Sequence, residues 1–264
     1  MKHLKSTIND LRKLFESSIT VKDIAEPFAS FDASSDVSFV KKFMVKRDYD
    51  IIGVRKDGLI QGYAIKQELL SKTLEKYIKP FKEEELLDER ASLNEVFDKL
   101  ECRSHLFILV FGQIGGIVTR GDLQKVPVRM WLFGLVSLIE MQLLRIINEY
   151  YINFKWKAHI KKDRLVKAKE IYEERRNDDT NIGLTDCLQF ADKYTIILND
   201  DELRKILSLE NSKTKCRKLF KDLRKLRDKL AHVQNLITGK WEEINILVKN
   251  AEQLLEKFQQ FSKP

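Results

Sequence analysis

Cysteine is scarce in this chain. Cys102, Cys187 and Cys216 are the only three in 264 residues, far apart, odd in number and without a C-x-x-C spacing. That pattern excludes a disulfide framework and a zinc knuckle, and it suits a reduced, cytoplasmic compartment. Histidine is nearly as rare, with four residues. His105 opens a β-type run, His159 sits in the basic stretch "KWKAHIKKD", and His3 lies in the first residues. None of these three has a carboxylate or cysteine at ligand spacing, so no metal site is expected. There is no glycine-rich phosphate loop, no G-x-G-x-x-G and no nucleophile elbow, which removes several large enzyme classes. The opening "MKHLKSTINDLRKLF" has charged or polar residues every two or three positions and lacks a signal-type apolar run. The greasiest stretch, "MWLFGLVSLIEMQLLRII" from Met130 to Ile147, is interrupted by Glu140 and Arg145. A span needs about 20 predominantly apolar residues, so the stretch reads as a buried core helix and no membrane is expected as a partner.

What the chain does have is hydrophobic mass and positive charge. With 43% hydrophobic residues it can bury a sizeable core, and 264 residues suit two units rather than one. A net charge of +8 and a pI near 9.2 favour an anionic partner, such as nucleic acid or a membrane surface.

The first half contains a weak internal repeat. "DVSFVKKFMVKRDYDIIGV" (Asp36 to Val54) aligns with "SLNEVFDKLECRSHLFILV" (Ser92 to Val110), so that Val37 meets Leu93, Val40 meets Val96, Met44 meets Leu100 and Arg47 meets Arg103. Each copy reads as a helix and two strands, the second strand containing Gly62 or Gly116, followed by another helix. The turn signature "RKDG" places a hairpin loop in the first copy that is two residues longer than its counterpart.

After its glycine, the second copy continues "GGIVTRGDL", which resembles the end of a CBS domain: a glycine, two β-residues, then Thr-x-x-Asp leading into the closing helix. The resemblance covers about residues 15 to 127. It implies two copies of a β-α-β-β-α unit paired into a module that takes adenine nucleotides in the cleft between them. Asp122 at a helix start can accept hydrogen bonds from ribose hydroxyls, Thr119 can present a hydroxyl nearby, and Arg120 would face a phosphate. The same Thr-x-x-Asp is also an ordinary capping arrangement, which leaves a purely dimerising scaffold as the alternative. In the first copy, "GYAIKQEL" puts Ile65 where the threonine would be and Glu68 where the aspartate would be, so its ligand site is in doubt.

Pro127 marks a change of texture, because helical spacing takes over from there. The spacing predicts a first helix from Val128 to about Lys157, apolar almost all round, and a second from about Arg164 to Arg176. A third is predicted in "LTDCLQFADKYTIILN", capped by Thr185, and a short fourth from Glu202 to Leu209. A basic helix from Ser212 to Leu236 and, after Gly239, a last amphipathic helix from Trp241 to Phe261 complete the set. On a helical wheel at about 100° per residue, Leu219, Leu223, Leu226, Leu230 and Val233 form the core stripe of the basic helix, with Arg227 at its edge. His232 falls roughly 140° from Arg227, on the polar side near Lys221, Lys225 and Asp228. Between Lys213 and Lys229 there are nine basic residues against two aspartates, a local excess that nearly matches the charge of the whole chain. Such a face is either a solvated helix surface or a match for a phosphodiester backbone.

A late basic helix carrying "RDKLAH" (Arg227 to His232) in an all-helical unit resembles the HEPN family, whose catalytic members are metal-independent RNases with an R-x-x-x-x-H signature. This resemblance covers about Val128 to Phe261 and implies catalytic roles for Arg227, Asp228 and His232. RNA cut by its own 2′-hydroxyl requires a base, an acid for the leaving oxygen and positive charge on the phosphorane. Histidine and arginine supply these. One chain offers a single such histidine, and the wheel separates it from Arg227. The resemblance therefore implies a homodimer whose two motif helices face each other, with Lys221, Arg224 and Lys225 holding the RNA. Glu140 is a plausible neighbour of Arg227 or a partner for some structural cation, and Asp192 reads as structural.

The expectation is thus an α+β chain with a tandem CBS module over residues 1–127 and an all-α, HEPN-like bundle over residues 128–264. Its expected activity is that of a toxin- or defence-type endoribonuclease working without a cofactor, regulated by adenine nucleotide and paired with a cognate antitoxin or defence-system partner. The alternative is a non-catalytic RNA- or protein-binding adaptor carrying a CBS sensor.

Overall fold

In the computed structural model, residues 13, 17–70, 72–177, 181–209, 212–232 and 241–261 are described. The chain divides into two units. One is Glu16–Val128, and the other contains Arg129–Pro264; Met1–Phe15 falls outside the first.

The first unit is the repeat made visible. In copy one, strand β2 (Ser30–Asp32) leads into helix α1 (Val37–Arg47) and the hairpin β3 (Ile51–Lys56) and β4 (Leu59–Ile65); β1 (Glu26–Pro27) precedes them. In copy two, β5 (Leu86–Asp88), α2 (Leu93–Leu100), β6 (His105–Val110) and β7 (Gln113–Thr119) follow the same order. In each copy the leading strand runs parallel to the first hairpin strand, Phe31 opposite Val54 and Leu87 opposite Ile108. The helices start where the side chains dictate: Asp36 accepts the backbone N–H groups of Ser38 and Phe39, and Ser92 accepts that of Glu95. Val37, Val40, Met44, Ile52, Val54 and Ala64 close into one core. Burying each aliphatic side chain of this kind contributes about 1.5–3 kcal/mol.

The copies are joined by an exchange of leading segments. Glu26 and Pro27 pair antiparallel with Ile117 and Gly116 of β7, and Lys79 bridges Tyr63 of β4. The sequence carries this exchange as a second repeat, "TVKDIAEPF" (Thr20 to Phe28) and "TLEKYIKPF" (Thr73 to Phe81). Thr20 bridges Ser92 while Thr73 bridges Asp36, so each threonine meets the residue that caps the other copy's helix. Gly62 is required by the crossing chain, since a Cβ there would stand 2.5 Å from the Lys79 carbonyl oxygen. Between the sheets, Phe28, Tyr63, Phe81 and Phe107 pack at centroid distances of 4.7–5.7 Å.

The structure corrects several sequence expectations. Both hairpins turn on two residues with positive φ, Asp57 and Gly58 at 52° and 79°, Phe111 and Gly112 at 50° and 77°. Their loops are therefore equal in length, and the two extra residues of copy one lie in the longer helix α1 and its exit, where Asp48 turns left-handed at φ 56°. The helix expected to close each copy is a single 3-10 turn, Lys66–Glu68 and Arg120–Gln124.

The second unit is helical. α3 (Val126–Tyr150) begins just before the unit boundary and carries Pro127 in its first turn, where the missing N–H has no helical partner to lose. It ends seven residues before the expected Lys157, because Asn153 and Phe154 both take left-handed backbone at φ 54° and 60°. Lys155–His159 then form a 3-10 turn, followed by α4 (Lys162–Arg175). α5 (Phe190–Asn199) starts later than expected. Thr185 lies in a turn held by the Gly183 N–H on Asp186, and the helix is capped instead by Gln189 and Asp192. α6 (Asp201–Ile206), α7 (Lys213–Ala231) and α8 (Trp241–Gln259) complete the unit. Among the described residues, α3 is the one helix long and apolar enough to cross a membrane. Its Trp131, Leu132, Val136, Ile139, Leu143, Ile146 and Ile147 are buried in the protein. On α7 the core stripe is Phe220, Leu223, Leu226 and Leu230, with Leu219 half-buried. Val233, Leu236 and Gly239 lie outside the described residues, as does His3.

Candidate functional site

In the helical unit the polar chemistry collects around one carboxylate. Glu140, one turn from Val136 on the apolar α3, receives Lys193 Nζ at 2.9 Å on Oε1 and Arg227 Nη1 at 3.3 Å on Oε2. Arg227 also reaches Asp228 Oδ1 at 3.4 Å, and its guanidinium stands 5.6 Å from the centre of the Phe190 ring. The Lys193 side chain is only 8% exposed. A buried ammonium needs an anion, and Glu140 provides it. Both readings of Glu140 therefore apply, since it meets Arg227 and also a structural cation.

Asp192, the neighbour of Lys193, takes a separate partner. Arg164 grips it with Nε and Nη2, both at 2.8 Å, while the Gln189 N–H caps the same carboxylate. This is the structural role expected of Asp192. Sequence reasoning missed Lys193. Its signal was present in "FADKYTIIL", where the lysine sits three residues after Phe190 and four before Ile197 on the buried side of α5.

His232 ends α7. Its backbone N–H donates to the Asp228 carbonyl at 3.2 Å and its side chain is exposed, with no hydrogen-bond partner among the described residues. Arg129 Nη2 donates to the carbonyls of Lys229 and Leu230, both at 3.3 Å, and so satisfies the last turn of the helix. The structure thus gathers Arg227 and Asp228 with Glu140 and Lys193, and Asp228 serves Arg227. Lys221, Arg224 and Lys225 are exposed along the same helix, Lys225 pairing with Asp222 at 3.3 Å.

In the first unit, the Thr119 N–H and hydroxyl both donate to Asp122 Oδ2, at 2.7 and 3.0 Å, and Lys125 Nζ stands 2.9 Å from Oδ1. Lys125 also pairs with Glu26 on the crossing segment and donates to the Ile24 carbonyl at 2.6 Å. Arg120 Nη2 donates to the carbonyls of Leu100 and Glu101, at 3.1 and 3.2 Å, so it finishes helix α2. The capping arrangement foreseen as the alternative is therefore present: Asp122 is 9% exposed and already engaged. In copy one the charges are exchanged, with Glu68 at the aspartate's place paired to Lys79 on the crossing segment.

His105 lies at the aromatic junction, 5.7 Å from the Tyr63 ring and 5.1 Å from Phe107, with Nδ1 3.0 Å from the Ser104 hydroxyl. Burial pushes its imidazole below the ordinary value, only partly opposed by Glu85. Burial likewise raises the Tyr63 phenol, and Glu85 adds to the effect. Among the described residues no cluster of three or more histidine, cysteine, aspartate or glutamate side chains is placed to hold a metal ion.

No protein-family description matches the chain, and no curated protein matches it in sequence. Solved structures do resemble part of it. The CBS-pair protein CBSX2 from Arabidopsis thaliana is 18% identical with a TM-score of 0.37 over 42% of this chain and 96% of its own. An uncharacterized conserved protein from Pyrococcus horikoshii is 22% identical with a TM-score of 0.36, over 41% of this chain and 91% of its own. The CBS domain of a bacterial CNNM/CorC family Mg2+ transporter, solved in complex with ATP, is 16% identical with a TM-score of 0.35, over 44% and 91%.

Proposed function

We propose that the helical unit is a metal-independent endoribonuclease of the HEPN kind, acting as a homodimer, and that the first unit is a CBS pair that senses adenine nucleotide. One observation carries the reading: the exposed imidazole of His232, without a partner among the described residues, ends a strongly basic helix five residues beyond an Arg227 held in place by Glu140 and Phe190. In the reaction, the 2′-oxygen of RNA forms a bond to the adjacent phosphorus as the bond to the 5′-oxygen breaks. One His232 accepts the 2′-hydroxyl proton, and the second chain's His232 protonates the leaving 5′-oxygen, leaving a cyclic phosphate. Arg227 faces the phosphorane oxygens, and the lysines of α7 hold neighbouring phosphates.

Regulation would pass from the first unit. A nucleotide at Thr119 and Asp122 displaces Lys125 from the carboxylate, and a ligand that favours one arrangement of the pair biases the attached dimer. Toxin or defence use, with a restraining partner protein, belongs to the same proposal.

A second reading is favoured by the closed ion network. Glu140 answers both Arg227 and the buried Lys193, as a helix-locking element in a non-catalytic RNA- or protein-binding adaptor would. Incubation with single-stranded and structured RNA in EDTA separates the two. Cleavage leaving cyclic phosphate ends, lost in both Arg227→Ala and His232→Ala, supports the nuclease. Equal background in all three proteins supports the adaptor. Added AMP or ATP that binds yet changes neither cleavage nor oligomeric state removes the regulatory part.

A further inference from the structure

Away from Arg227, the helical unit holds a cavity of about 430 Å³ at the end of α3. That volume lies in the range of small-molecule sites, roughly 300–1,000 Å³. Its walls are aromatic: Tyr151, Phe154, Trp156 and Tyr172 all line it. Two of these are firmly placed. Trp156 is 2% exposed, and the Tyr151 hydroxyl donates to Asp200 Oδ2 at 2.8 Å while its ring packs against Tyr150 at 4.9 Å. Burial and the Asp200 carboxylate push the Tyr151 phenol far above its ordinary value, so the hydroxyl keeps its proton and the ring keeps its anchor.

The polar groups of the cavity are free to bind. Thr185 is 9% exposed and lines it, and among the described residues its hydroxyl has no hydrogen-bond partner. The side-chain amides of Asn148 and Asn153, also lining residues, are likewise without protein partners among the described residues. At the rim, consecutive Asn153 and Phe154 are held in left-handed backbone, a conformation an aromatic residue rarely adopts, and the Lys157 ammonium stands 4.3 Å from the Phe154 ring centre. Backbone strain of this kind persists where surrounding structure enforces it, and it clusters at ligand clamps.

Flat aromatic walls, two amides each presenting a donor and an acceptor, the Thr185 hydroxyl and a cation against the Phe154 ring match a single chemical class. We propose that this cavity binds a nucleobase, presented either by a free mononucleotide or by a single-stranded RNA. The base stacks within the aromatic walls, its polar edge meets Thr185 and Asn148, and the attached phosphate meets Lys157. The inference does not rest on Arg227 and His232, since base binding is measured without cleavage.

The test uses the full chain and its tryptophan fluorescence, titrated separately with UMP, CMP, AMP and GMP and with a ten-nucleotide oligouridylate. The expected result is saturable quenching that Trp156→Phe removes and that Thr185→Val and Asn148→Ala each weaken about three- to ten-fold, the worth of one hydrogen bond. Asn148 is exposed, so its variant keeps the fold even if the isosteric Thr185 variant does not. Saturation by a mononucleotide identifies a free ligand as the source, and saturation by the oligomer alone identifies a strand. The readout is taken from UMP, CMP and the oligouridylate, which the adenine-nucleotide site proposed for the first unit does not take, so a change relayed from that unit does not enter the signal. No saturable quenching by any probe, quenching that survives Trp156→Phe, or equal affinity in the wild type and the Asn148 variant overturns the proposal.

Discussion

Replacing Glu140 by glutamine keeps the shape of the side chain and removes its charge. Lys193, 8% exposed, then keeps its ammonium in the bundle without an anion, and Arg227 loses its contact at 3.3 Å. Breaking a buried ion pair from one side costs about 3–5 kcal/mol. Glu140 and Arg227 are 26% and 31% exposed, so water recovers part of that, and the expected loss is about 2–4 kcal/mol. Urea unfolding followed by tryptophan fluorescence reads this unit alone, since all three tryptophans belong to it. With a denaturant slope of about 2 kcal/mol per molar, the midpoint should fall by about 1–2 M. In a Lys193→Met background the buried cation is gone, and the same Glu140→Gln change should cost about 1 kcal/mol or less. Two results would refute the reasoning: a midpoint within about 0.3 M of wild type, or an equal drop in both backgrounds.

Further outcomes follow from the same physics. Arg164→Ala removes both contacts at 2.8 Å from Asp192, whose side chain is 6% exposed, and should cost about 3 kcal/mol in the tryptophan signal; an unchanged midpoint would place Asp192 in water. Burial holds His105 below its ordinary value of 6.5, so the unfolded chain takes up the proton first. The stability due to this shift is complete above that value and is lost as pH falls through 6.5 towards the folded value. Calorimetry should therefore show the first unit weakening on acidification from about pH 7.5 to 5.5 and His105→Phe flattening that slope; identical slopes would discard the assignment. Phe111 is 91% exposed and sits at φ 50°, so Phe111→Asn should stabilise the hairpin by about 1 kcal/mol, measured as a higher unfolding temperature of the first unit.

Much of the fold was legible because its signals are local. The periodic apolar residues Val37, Val40 and Met44, the caps Asp36 and Ser92, and the turn pair Asp57 and Gly58 each act within a few residues of themselves. Misplaced boundaries had causes that act over longer range or against propensity. Thr185 looked like a cap until Asp186 and Asp192 took over the turn and the helix start. Phe111 does not look like a turn residue, yet strand pairing forces it into the same geometry as Asp57. The repeat of "TVKDIAEPF" and "TLEKYIKPF" was present in the sequence, but its meaning is a crossing between copies that no single copy contains.

The candidate sites divide the same way. By itself the sequence determined which residues carry charge on the basic helix, that Arg227 and His232 do not share one face, and that Thr119 and Asp122 stand at capping distance. Those are consequences of helical period and of side chains three residues apart. Only the tertiary structure decided that Glu140 answers Lys193 and Arg227 together, that Arg120 finishes helix α2, and that Thr185 lines an aromatic cavity. Each of these joins residues well separated along the chain, and their arrangement is set by packing: a charge excluded from water takes whatever partner the packed chain brings to it.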